Sequence, residues 1–171
     1  MSAAPQGLKP VSFHPDDCVA GGLINDVDVE VEAAEFTTEG PPGYTEEAMF
    51  AKLALKDLHT GDVSDQYWSC GKVAFDHFTA SDDGRFLLPT GGKNQMIKES
   101  NFIKFMESLT GKGFPKPLCQ DMANLRGLQM HVLRAPAKVG AGMSAPKDDR
   151  ERTVLLCDRI IKLPGEKAKR G

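Results

Sequence analysis

Lys52, Lys56, Lys72 and Arg85, interleaved with the rings of Tyr67 and Trp68, are the residues whose types and spacing best suit a chemical task. Such cations neutralise phosphates, and flat rings stack on unpaired bases at about 1–3 kcal/mol per base, so the task would be holding a single-stranded nucleic acid. Tyr67 and Trp68 are neighbours on an expected strand and point to opposite faces. One therefore belongs in the core, and Trp68 is preferred as the stacking ring. A second basic group, Arg134, Lys138, Lys147, Arg150 and Arg152, spans the Gly- and Ala-rich segment 135–151. A structureless stretch of that length is expected to be a mobile, functional loop.

Turnover has far weaker support. His77 beside Asp76 has no evident nucleophile, and Asp82-Asp83 is followed by Gly84, which makes the pair a turn former. Pro89-Thr90-Gly91-Gly92-Lys93 lacks the spacing of a phosphate-binding loop. Cys18, Cys70, Cys119 and Cys157 lie far apart with no CxxC pair, and His14, His59, His77 and His131 are equally dispersed, so zinc spacing is absent. The expectation is a protein without catalytic residues, metal or cofactor, with its thiols reduced.

The elements that would position the cations and rings follow from periodicity. Asp26 to Glu32 alternates valines with carboxylates, a strand with one apolar face. Met49 to Leu58 alternates again, with Met49, Ala51, Leu53 and Leu55 on one face and Phe50, Lys52 and Lys56 on the other. Gln66 to Cys70 is a third, aromatic strand, and Ser81 to Gly84 is a turn leading into Phe86 to Leu88. Ser100 caps a helix whose Phe102, Phe105, Met106 and Leu109 form one stripe, with Gly111 and Gly113 allowing the exit. Leu118, Met122 and Leu125 suggest one further helical turn, and Leu128 to Leu133 and Thr153 to Ile161 read as the last strands.

Three strands, a helix and two strands are the order of an oligonucleotide/oligosaccharide-binding (OB) barrel. The chain is accordingly expected to be mainly β: an extended arm over 1–20, an OB-like domain over 21–164 with one helix between strands three and four, and a basic tail over 165–171. Its net charge of −3 hides an asymmetry: residues 1–50 carry ten acids and one base, residues 51–171 fourteen acids and twenty bases. A polyanion would meet the second part. No apolar run approaches the roughly 20 residues of a membrane span, and the start lacks the apolar core of a secretion signal, so a cytoplasmic protein is expected.

Leu23-Ile24-Asn25-Asp26-Val27-Asp28-Val29, Ser81-Asp82-Asp83-Gly84, Ser100-Asn101-Phe102-Ile103-Lys104-Phe105 and Gly113-Phe114-Pro115 carry a resemblance over residues 22 to 164. The chain resembles small proteins of bacteriophage replication and recombination modules that are similar to OB-fold single-stranded DNA-binding proteins. The resemblance implies protection of DNA intermediates in the host cytoplasm, with single-stranded DNA (or RNA), phage or host replication proteins, and further copies of the chain as partners. The basic end Glu166-Lys167-Ala168-Lys169-Arg170 departs from the acidic tails of bacterial single-strand binders. Two other classes compete: a phage structural or protein-interaction module that docks through the acidic strand and proline arm, and, more weakly, a nuclease or enzyme accessory domain.

Overall fold

The computed structural model describes residues 10–15, 24–136 and 153–165. The valine alternation forms strand β1, Val27–Thr37, with Val29 and Val31 buried. β2, Phe50–Asp57, and β3, Val63–Ser69, follow as antiparallel neighbours, and β2 turns Ala51, Leu53 and Leu55 inward as its period of two requires. A six-residue helix, α1, Lys72–His77, leads into a small hairpin of β4, Phe78–Ala80, and β5, Leu87–Pro89. Helix α2, Asn101–Thr110, starts where expected, because the Ser100 hydroxyl accepts from the Ile103 N–H at 3.3 Å. The chain leaves α2 through Gly111, which is right-handed, and Gly113 supplies the positive φ. Two 3₁₀ turns, Lys116–Leu118 and Met122–Leu125, precede β6, Gln129–Pro136, and β7, Thr153–Lys162.

The main sheet is antiparallel with strand order β3-β2-β1-β6-β7, and its ends do not join. The expected closed five-stranded OB barrel is therefore overturned. Closure requires main-chain pairing between β3 and β7, and side chains occupy that seam instead. The Trp68 indole N–H, on β3, donates to the Leu155 carbonyl, on β7, at 2.9 Å. Phe105 of α2 packs against the same indole with ring centres 4.6 Å apart. Three residues further along α2, the Ser108 hydroxyl accepts from the Cys157 N–H at 2.9 Å, which satisfies a donor on the edge of β7. A large ring and a helix thus stand where the last ladder would be.

The core lies on one face of this sheet, where Leu53, Leu55, Trp68, Met130 and Val132 meet Phe105 and Leu109 from α2. The β4–β5 hairpin is held against β1 at one point. Gly84, at φ +73°, offers its carbonyl to the Phe36 N–H at 2.7 Å, and a Cβ there would sit 2.7 Å from the Glu35 Cβ. Only glycine lets the two backbones come that close.

Candidate functional site

The cations and rings singled out from the sequence do not assemble into one phosphate-facing surface. Lys52 stands between Glu35 and Asp65, 3.8 Å from each carboxylate, and its ammonium lies over the Tyr67 ring at 5.9 Å. Burial pulls its pKa down, but Asp65, Tyr67 and Glu35 outweigh that and hold it above the ordinary lysine value. Lys56 pairs with Glu32 at 4.0 Å. Arg85 is locked to Asp121 through two guanidinium nitrogens, which raises the arginine pKa and lowers the aspartate's. Arg134 is half-buried in the seam, donating to the Ile24 carbonyl, the Thr153 hydroxyl and the Gln66 amide oxygen; burial lowers its pKa. Lys72 is exposed on α1, and Lys138, Lys147, Arg150 and Arg152 lie outside the described residues.

Trp68 cannot stack on a base. It is 2% exposed and is the larger half of the seam plug, whereas Tyr67 is half-exposed and packs edge-on against Phe50 with ring centres 6.1 Å apart. One of the adjacent rings does point inward as the alternation demands, but it is the one preferred for stacking. On the outer face, β1 sets Asp28, Glu30, Glu32 and Glu35 beside the cations of its neighbours. His131 of β6 joins this network: its two ring nitrogens bond Asp28 at 2.7 Å and Asp26 at 2.8 Å, and Arg159 reaches Asp28 at 3.6 Å. The hydrogen bond that the ring donates to Asp28 is the main cause of a raised His131 pKa, with Asp26 adding to it against burial and Arg159. Carboxylates thus neutralise the face that was expected to hold a polyanion. With no closed barrel and no exposed tryptophan, the assignment as a single-stranded DNA-protecting OB protein is overturned.

What the fold does build is an apolar pocket of about 300 Å³ beside α2. Phe36 at the end of β1, Phe78 of β4, Phe102 and Met106 of α2, and Met122 and Leu125 of the second 3₁₀ turn line it. Phe36 and Phe102 meet edge to face with ring centres 5.5 Å apart, which makes a rigid floor. The walls are tied together by hydrogen bonds. The Met122 N–H donates to the Arg85 carbonyl at 2.9 Å, and Asp121, besides binding Arg85, accepts from the Ala123 N–H at 2.9 Å and so caps the 3₁₀ turn. Met96 on the loop before α2 completes the apolar lining, with the exposed carboxamides of Asn94 and Gln120 on the rim.

Unbranched thioethers reshape easily around an apolar guest, and neutral carboxamides donate and accept at once, as a peptide group does. The Cys119 thiol at the rim is pushed up by burial, and burial also raises the buried Cys70 to about 12 and Cys157 to about 11, so none is an activated nucleophile. Among the described residues no cluster of histidine, cysteine and carboxylate side chains is arranged to hold a metal ion. No motif in the sequence announces this pocket. Its one sequence signal is methionine density: Met96, Met106, Met122 and Met130 are four of the seven methionines and fall within 35 residues.

No protein-family model, curated protein or solved structure matches this chain. The resemblance to phage proteins therefore rests on its own motifs. No helix among the described residues is long and apolar enough to cross a membrane.

Proposed function

We propose that this chain is a non-catalytic protein-interaction module whose pocket beside α2 takes an apolar side chain of a partner polypeptide. The observation that carries the reading is the pocket itself: about 300 Å³, floored by aromatic rings, walled by thioethers and edged by the Asn94 and Gln120 amides and the Arg85-paired Asp121 carboxylate. That volume is at the small end of ligand sites and suits one large side chain or two small ones better than a cofactor. The rim carboxamides donate and accept as a peptide group does, so they can pair with the backbone of a docked polypeptide. The same reading keeps the protein in the cytoplasm, supported by Cys70, Cys119 and Cys157 being free thiols.

The test is selection from a random heptapeptide display library, followed by titration of enriched peptides into protein carrying ¹³C-methyl methionine. Peptides sharing one aromatic or large aliphatic residue should shift the Met96, Met106 and Met122 methyl signals, and Met106→Lys should abolish binding. Enrichment of sequences with no shared apolar residue, or shifts confined to Met49 and Met130, would reject the pocket as the working site.

A further inference from the structure

We propose that the partner is a second copy of this chain, whose N-terminal arm inserts Phe13, with Val11 beside it, into the pocket beside α2. This assignment rests on the reading of the pocket given above. Val11 is 91% and Phe13 95% exposed, the two most exposed large apolar side chains described. They stand two residues apart in the stretch 11–13, which forms neither helix nor strand, and an extended backbone in the docked state would direct both to one side. Pro10 and Pro15 bracket them and restrict the unbound chain, which lowers the entropy lost on docking.

Two observations select a second copy over other occupants. First, the arm does not close on its own pocket, since Phe13 is almost wholly exposed in the monomer. Second, the charges are complementary. Residues 10–23 carry Asp16 and Asp17 and no lysine or arginine, while residues 84–126, which supply most of the pocket, carry seven bases and three acids. Reciprocal insertion of two arms is a self-complementary, closed arrangement, and it buries on each copy the apolar groups that the monomer leaves in water.

The test is sedimentation velocity of the full chain over a wide concentration range, with Phe13→Ser and Met106→Lys variants. Wild type should form dimers. Phe13→Ser removes a ring from each of two arms and should weaken dimerisation by about a hundredfold or more. Met106→Lys, checked by far-UV circular dichroism, should do the same. Mixing the two variants restores one arm–pocket pair per dimer and should recover part of the association. A wild type that stays monomeric, or dimers indifferent to Phe13→Ser, overturn the proposal; because Phe13 is exposed, that variant reports on docking rather than folding. Peptide selection on the Phe13→Ser protein separates the two readings. Pocket-dependent peptides with a monomeric chain leave the module standing and reject the second copy, whereas no peptides and no dimer reject both.

Discussion

Trp68→Phe is the sharpest test of how this sheet ends. The substitution keeps an aromatic ring against Phe105 but deletes the indole N–H that reaches the Leu155 carbonyl at 2.9 Å across the seam. Leaving a buried acceptor without its donor costs about 1–3 kcal/mol. The smaller ring also leaves roughly 40 Å³ of void, worth about 1 kcal/mol when the surroundings relax only partly. The expected loss is therefore about 2–4 kcal/mol, or about 4–16 °C in Tm for a chain of this size. Urea unfolding followed by far-UV circular dichroism measures it, since the only tryptophan has been removed. Tyr67→Leu, one residue away on the outer face, is the control and should cost less than about 1 kcal/mol. In the wild type, Trp68 emission should be blue-shifted and insensitive to iodide or to added oligonucleotide. A Trp68→Phe loss below about 1 kcal/mol, or a tryptophan that iodide quenches freely, would refute the view that this side chain closes the seam.

Other perturbations test the network around the pocket and the sheet. The His131 pKa is raised in the folded state by Asp28 and Asp26, so its stabilisation is complete below the ordinary histidine value and is lost as pH rises through the higher folded value. Wild-type stability in urea should fall over that window, and His131→Gln should remove the dependence; parallel pH profiles would contradict the assignment. Gly84→Ala places a Cβ against Glu35 in a left-handed conformation and should cost about 2–4 kcal/mol by thermal unfolding. A neutral result would mean that the hairpin does not need its close contact with β1. Asp121→Ala removes both the cap on Ala123 and the pair with Arg85 and should lower Tm in thermal unfolding. Asp121→Asn keeps an acceptor for the cap and should lose less, and equal losses would count against the capping role.

The legible parts of this protein are those written in local spacing. Val27, Val29 and Val31 announce β1 because a strand repeats every two residues, and Phe102, Phe105 and Leu109 behind Ser100 announce α2 because a capped helix repeats every 3.6. The same alternation correctly sent one of Tyr67 and Trp68 inward. It carried no information about which face was inner, so the stacking ring was assigned to the wrong residue. Helix α1 escaped notice because six residues with no side-chain cap leave hardly two turns of pattern.

Whether five strands close into a barrel or stay open was not written in any window of the chain. The answer depends on Trp68 meeting Leu155, 87 residues away, and on Ser108 of the helix taking the Cys157 N–H that a neighbouring strand would otherwise have taken. The pocket is equally non-local, joining Phe36 to Leu125 through a hairpin, a helix and a 3₁₀ turn. Charge behaved the same way: the bases of β2 were plain in composition, but only the register of β1 and β3 set Glu35 and Asp65 beside Lys52 and turned an apparent phosphate contact into a paired surface ion. Periodicity arises within a single element and is legible there, whereas closure, cavities and charge balance arise between elements and become visible only once those elements are packed.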